Sequence, residues 1–328
     1  GQLRRPGESI VVPHLADSLE AIAKNGPQEM YSGELGRQIA DFVIDSGGRL
    51  NREDLAAYQV IERPSLGAEL AGWRIATNPP PAVGGSVLIA MLQLMARREL
   101  ADWDDAALYY LVDVQRAVLG FRRSHLDLSD DLEADARRLL GHAAAGELAA
   151  VLESASTCHT SAVDATGLAC SVTMSAGYGA GDMPPGTGVW LNNCLGELEL
   201  NKRGLEPGPP GTRLPSNMAP SVARGDAGET LAIGSPGADR ITTAILQTLV
   251  NHLQLDMSLA AAIRFPRCHV EWVGGDYRVA CEAGLGIERL DLPSREFAGQ
   301  SMFFGGVGAA LHSPASGLEA AADPRRSG

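Results

Sequence analysis

Cysteine is scarce in this chain of 328 residues. Its five cysteines (Cys158, Cys170, Cys194, Cys268, Cys281) are too few, and odd in number, for a disulfide framework. None stands in a C-x-x-C or Cys/His spacing that would hold structural zinc. No apolar run reaches the ~18 residues of a membrane span. Positive charge is also short: 27 basic residues face 40 acidic ones, a formal net charge of −13. An acidic chain repels phosphate backbones, which argues against general nucleic-acid binding. Lysine is nearly missing, at Lys24 and Lys202 only, a bias of GC-rich coding rather than of function. An initiator Met and a signal-like segment are missing too, so the chain reads as a fragment or a processed product and its location stays open.

What is present suits a globular protein with a real core: 45% apolar and 20% charged residues. The length fits one large or two modest domains. Apolar residues recur at helical spacing in Pro13–Ala23, in Leu35–Ser46 (closed by Gly47-Gly48) and in Asn51–Tyr58, where Asn51 is the N-cap and Asp54 the third helical residue. Val60–Arg63 and Ala68–Thr77 read as strands. Pro79-Pro80-Pro81 with Gly84-Gly85 reads as an irregular loop. Helices are expected at Ser86–Arg97, Ala106–Phe121 and Leu132–Leu152, the last interrupted near Gly141.

Beyond Glu153 the pattern changes. Thr157–Asp164 and Leu168–Ser175 alternate around an Asp164-Ala165-Thr166-Gly167 turn, which predicts a hairpin. Val189–Leu191 and Thr230–Ser235 read as strands, and the Pro/Gly-rich stretch 201–216 as loop. Helices are expected at Ile241–Leu253 and Ser258–Ile263, and strands at Arg278–Cys281 and Met302–Gly305. The last dozen residues carry a weak pattern, and no internal repeat is visible. Helices flanking hairpin-linked strands favour a layered α+β sandwich over a doubly wound sheet.

Taken alone, Thr157 is a β-branched residue opening a strand. Cys158 and His159 are strand neighbours and point to opposite faces, so they do not form a thiol–imidazole dyad. The wider context carries more. MYSGELGRQIADFVIDSGGRLNREDLAAYQVIERP and the WRIATNPPPAVGGSVLIAMLQLM block come first. TCHTSAVDATGLACSVTMSAGYGAG, PGTGVWLNN, RLPSNMAPS and GSPGADR follow in order. The series, from about Pro13 to Pro324, resembles the γ-glutamyltransferase family of N-terminal nucleophile hydrolases.

The resemblance implies a four-layer αββα sandwich, here possibly incomplete. Residues 1–156 would be a mainly helical, large-subunit-like segment, and 157–328 a small-subunit-like segment forming one structural unit with it. The family cuts its own precursor before a threonine, here at Ser156–Thr157. The freed α-amine, of ordinary pKa about 7.7–8.0, then activates the neighbouring hydroxyl. Ser175 matches a threonine that hydrogen-bonds the nucleophile, and a hydroxyl keeps that capacity; otherwise it is simply the last strand residue. Gly237 and Ala238 match two glycines whose amides stabilise the oxyanion, and the alanine serves if its φ is negative. Ser216 and Asn217 align with two serines that bind the substrate carboxylate. Glu197 aligns with the acidic residue that holds the substrate ammonium; otherwise it is a solvated loop carboxylate.

Departures accompany the match. The segment between Ser175 and Tyr178 is two residues short of the family pattern, and so lacks its asparagine. The 197–212 loop is shorter, and Cys194 replaces a polar residue. Only 156 residues precede Thr157, about half of what the resemblance implies, and no residue matches the family's carboxylate-binding arginine. The expected activity is cleavage of γ-glutamyl amides through a Thr157 ester, with transfer to water or an amino acceptor. The expected partners are a small-molecule amide and the two cleaved segments for one another, with a homo-oligomer open. No metal or organic cofactor is needed. Two alternatives stay open: an acylase with a different acyl group, and a catalytically inactive truncated relative. Family members are often exported, while unpaired cysteines also permit the cytoplasm.

Overall fold

The computed structural model describes residues 7–146, 158–197, 201, 204–205 and 208–326. The chain divides into two compact units. One comprises the chain up to Glu62 together with Tyr178–Asn193; the other comprises Arg63–Gly177 and the chain from Cys194 onward. The second unit therefore draws on both sides of the Ser156–Thr157 bond.

The first unit is helical: α1 (Leu15–Asn25), α2 (Gln28–Tyr31), α3 (Glu34–Asp45) and α4 (Arg52–Ala56). Asn51 caps α4 as expected, its side chain accepting from the Asp54 N–H while Asp54 accepts from the Asn51 N–H. Gly47, at φ 82, closes α3. Ser18 of α1 donates to the Thr187 carbonyl at 2.6 Å, which ties the 178–193 segment to this unit. Val60–Arg63 and Val189–Leu191 are not strands. Val60 is 81% exposed, and among the described residues no strand pairs with it.

The second unit is built on a six-stranded antiparallel sheet in the order β1-β2-β5-β6-β10-β11. Its strands are β1 (Leu66–Leu70), β2 (Trp73–Thr77), β5 (Ser221–Gly225), β6 (Thr230–Gly234), β10 (Gly308–Ser313) and β11 (Gly317–Ala322). A turn at Ala71-Gly72, both with positive φ, splits the run expected as one strand into the β1–β2 hairpin. β5, β10 and β11 carry too few large apolar residues to show in the sequence. Met302–Gly305 is one turn of 3₁₀-helix, not a strand.

One face of the sheet carries helices: α5 (Val83–Met95), α6 (Asp105–Phe121), α7 (Leu132–Ala145), α8 (Arg240–Leu249) and α9 (Leu259–Arg264). Twelve of the thirteen α5 residues are buried, as the absence of an amphipathic stripe predicts. α5 starts earlier than expected, because Gly84 and Gly85 lie in its first turn. A Cβ at Gly84 would strike the Asn217 carbonyl, and one at Gly85 the Asn78 carbonyl. These glycines serve close backbone packing, not positive φ. α7 runs unbroken through Gly141 and ends at Gly146, φ 92; the rest of the helix expected to Leu152 lies outside the described residues. α8 continues as a π-helical turn, Val250–Gln254.

The other face carries the predicted hairpin, β3 (Cys158–Val163) with β4 (Ala169–Met174). It lies over β6 and β10. Strand β6 is buried along its whole length: Leu231 and Ile233 enter the helix-side core, while Gly234 lies under the His159 ring. The layers are thus helices, large sheet and hairpin, in the order the αββα expectation requires.

A third sheet, β7 (Cys268–Val273), β8 (Asp276–Glu282) and β9 (Ser294–Phe297), packs on α6 and α8. The free edge of β7 meets side chains instead of a strand. Gln247 of α8 accepts from the Cys268 N–H at 2.9 Å and donates to the Cys268 carbonyl at 2.8 Å. Gln115 of α6 accepts from the Val270 N–H at 3.0 Å. The two amides satisfy a buried sheet edge that would otherwise cost about 1–3 kcal/mol per group. Gln247→Leu should therefore lower stability by about 2–3 kcal/mol in urea denaturation; an unchanged midpoint would show that water replaces the amide.

Candidate active site

Thr157 and Ser156, the expected nucleophile and cleavage point, lie outside the described residues. Their sequence neighbour Cys158 opens β3 opposite Met174 and is exposed, with its Sγ donating to the Met174 carbonyl at 3.3 Å. His159 points the other way, into the space between the sheets, so the two form no dyad. Ser161 gives its hydroxyl hydrogen to the Gly308 carbonyl and so accepts from His159 Nε2–H at 2.7 Å. In the neutral ring Nδ1 is then the acceptor for Thr173 Oγ1 at 2.8 Å. Burial lowers the His159 pKa from 6.5 to about 4.

Ser175 follows the last residue of β4. Its hydroxyl accepts from the Gly177 N–H at 3.1 Å, and its carbonyl accepts from Cys194 Sγ at 3.5 Å. That contact joins it to the loop carrying Glu197. Glu197 is 4% exposed, which corrects the solvated-carboxylate reading. Its carbonyl holds the Asn201 N–H at 2.8 Å, and Asn201 Nδ2 donates to the Cys194 carbonyl at 2.7 Å. Burial, with Glu197 nearby, raises the Cys194 thiol pKa.

Gly237 and Ala238 occupy the turn between β6 and α8, at φ +131 and +64. The negative φ set as the condition for Ala238 is not what the turn uses: this alanine sits in the left-handed region, at a cost of roughly 1 kcal/mol, and still carries a backbone N–H there. Among the described residues neither N–H meets an acceptor. Gly237 lies against the backbone of Gly305, and Ser235 Oγ accepts from the Gly306 N–H at 3.0 Å, so the 302–306 segment braces the turn.

Ser216 and Asn217 lie at the start of α5. Ser216 accepts from the Gly84 N–H at 3.2 Å. Asn217 is 3% exposed and donates through Nδ2 to Asp239 Oδ1 at 2.6 Å. One N–H of its amide is thus engaged within the protein. Asp239 Oδ1 also accepts from Arg122 Nη1 at 2.7 Å, and Arg122 Nε donates to Asp127 at 3.0 Å. The structure thus brings Ser216, Asn217, Gly237 and Ala238 to one place, and Ser175 and Glu197 to one loop contact. Sequence reading passed over Asp239 and Arg122. The signal was an acid inside the GSPGADR turn, directly before an apolar helix.

Layered helices, antiparallel sheet and hairpin define an N-terminal-nucleophile hydrolase fold. The chain belongs to the gamma-glutamyltranspeptidase family, whose sequence model matches residues 1–328. It is 30% identical to the glutathione hydrolase proenzyme of Escherichia coli K12, over 99% of this chain and 62% of that protein. It is 29% identical to an acylase ACY 1 proenzyme of Pseudomonas sp. V22, over 83% of this chain and 52% of that one. The chain therefore spans less than two thirds of the length of these relatives. Its fold is similar to that of cephalosporin acylase from Bacillus halodurans, with a TM-score of 0.73 over 95% of this chain and 61% of that chain at 23% identity.

Two predictions follow from the site geometry. Gly237→Ala should cost about 1–3 kcal/mol, because its φ is nearly glycine-only and a Cβ would meet Gly305. Ala238→Gly should stay within about 1 kcal/mol, since relieved strain offsets a lost buried methyl. Equal denaturation midpoints for wild type and Gly237→Ala would contradict this turn. The second prediction concerns pH. The unfolded chain protonates His159 near 6.5, whereas the folded chain resists until about 4. Stability from this residue is full above 6.5 and is lost as pH falls toward 4. His159→Gln should flatten the stability profile over that window; an unchanged slope would assign the acid sensitivity to other groups.

Proposed function

We propose that this chain carries the catalytic segment of a self-processing amide hydrolase or acyltransferase with Thr157 as nucleophile. The observation that supports it best is the Gly237–Ala238 turn beside the His159 end of the hairpin, whose two N–H groups meet no acceptor among the described residues. Such a pair suits the oxyanion of acyl transfer. In the proposed reaction, Thr157 Oγ attacks the amide carbon and its proton passes to the Thr157 α-amine. The oxyanion rests on the two N–H groups. The C–N bond then breaks, and the leaving amine takes the proton. Water or an amino acceptor next attacks the ester and frees Thr157. Ser175 is the proposed hydroxyl partner of the nucleophile.

The donor proposed first is a γ-glutamyl amide, with Glu197 on its ammonium and Ser216 on its carboxylate. A second reading keeps the chemistry and changes the acyl group. It is favoured by Asn217, whose buried amide is engaged by Asp239, and it agrees with the acylases among the relatives.

The test is intact mass under denaturing conditions after incubation at neutral pH. The expected products are fragments of 156 and 172 residues, with Thr157 first in the second. Thr157→Ala should stay uncut and inactive, and Thr157→Ser should keep part of both activities. Turnover by Thr157→Ala would refute the nucleophile. Hydrolysis of γ-glutamyl-p-nitroanilide against acyl-amide substrates then separates the two donors.

A further inference from the structure

We infer that Arg122 is a positioning residue for the oxyanion turn, acting through Asp239 from the segment on the amino-terminal side of the proposed cleavage point. The inference rests on the reading of Gly237–Ala238 given under Proposed function.

Arg122 stands where α6 passes into a π-helical turn, Arg122–Leu126. Its guanidinium forks between two carboxylates, Nε on Asp127 at 3.0 Å and Nη1 on Asp239 at 2.7 Å. The three side chains are 3–4% exposed. Asp239 directly follows Ala238, so whatever holds its carboxylate also holds the Ala238 peptide. The same Oδ1 takes the Asn217 amide at 2.6 Å. Three segments therefore meet at one oxygen: the end of α6, the 216–218 loop and the 237–239 turn.

The charge matters as much as the geometry. A buried carboxylate one residue from an oxyanion site opposes the negative charge that develops there. The guanidinium offsets that field, and Arg suits the position because it stays charged when buried and its planar fork spans two acids. Without Arg122, Asp239 would be a buried acid held by a single amide. It would then take up a proton or turn toward water, and either change moves the peptide that carries the Ala238 N–H. After cleavage before Thr157, Arg122 and Asp239 would belong to different polypeptides, so the first fragment would set the oxyanion turn of the second through this pair.

The test uses the intact chain with Arg122→Met, read first by hydrogen–deuterium exchange. Peptides covering 216–218 and 235–241 should exchange about tenfold faster or more, while α5 keeps its wild-type protection. Should Arg122→Met fail to fold, Asp239→Asn decides. It keeps the Asn217 contact and removes the ion pair, and the same two peptides should loosen in a protein that melts cooperatively. Wild-type exchange at 235–241 in either folded variant, or a uniform rise across the chain, overturns the inference.

Turnover supplies the second readout. The kcat of Arg122→Met should fall about 10²-fold, as misplaced catalytic groups do, with KM within threefold. Arg122→Lys should recover part of that loss. An unchanged kcat, or an equal loss through KM, also overturns it. A wild-type chain that neither cuts itself nor turns over an amide counts against the proposed function instead, and the exchange result still decides the role of Arg122.

Discussion

The fold depends on covering both faces of strand β6. Thr230–Gly234 is buried along its whole length, with core helices on one side and the β3–β4 hairpin on the other. Each cover leaves a mark in the sequence. Leu231 and Ile233 serve the helices, and Gly234 leaves space for the His159 ring. The hairpin turns a polar face inward, and His159, Ser161, Ser171 and Thr173 satisfy one another or the carbonyls of the large sheet. A buried polar layer is tolerable only when its groups find partners, which makes the seating of the hairpin specific rather than merely greasy. The end of β6 under His159 is also where the Gly237–Ala238 turn leaves the sheet.

Acidic as the chain is, its interior is organised by arginine. Arg122 ties the α6 end to the turn before α8. Arg267 holds Asp323 at 2.7 Å, and Arg325 spans Asp323 and Glu282, so the segment after β11 is locked to β8. Burial pulls the Arg267 pKa down to about 10 despite its acidic neighbours. Buried pairs of this kind contribute little net stability against an apolar equivalent, yet losing one partner is costly. Their value here is positional: each joins chain segments far apart in sequence at a point where the backbone must be fixed.

Asn217 and Glu197 bear on the choice between donors. Both are buried, at 3% and 4% exposure, and the Asn217 amide is committed to Asp239. An asparagine so engaged is a support for the turn before it is a ligand for substrate. Ser216, half-buried at the start of α5, keeps the more accessible hydroxyl.

Local pattern sufficed wherever the signal was short-range. The Asn51–Asp54 capping box, the buried α5, the hairpin around Asp164–Gly167 and the α8 helix were all legible from spacing and turn chemistry. The ordered motifs TCHTSAVD, PSNMAPS and GSPGADR identified the family. Strands β5, β7, β10 and β11 were not legible, because their short runs of alanine and glycine or mixed polarity become strands only by pairing with distant neighbours. Gly84 and Gly85 looked like loop residues until the 217–218 backbone lay against the first and the Asn78 backbone against the second. The positive φ of Ala238, the burial of Glu197 and the link from Arg122 through Asp239 to Asn217 were likewise decided by the tertiary structure. Each depends on groups from different segments brought together, across 117 residues for Arg122 and Asp239, or on a backbone held by packing, and neither is encoded in a local window of sequence.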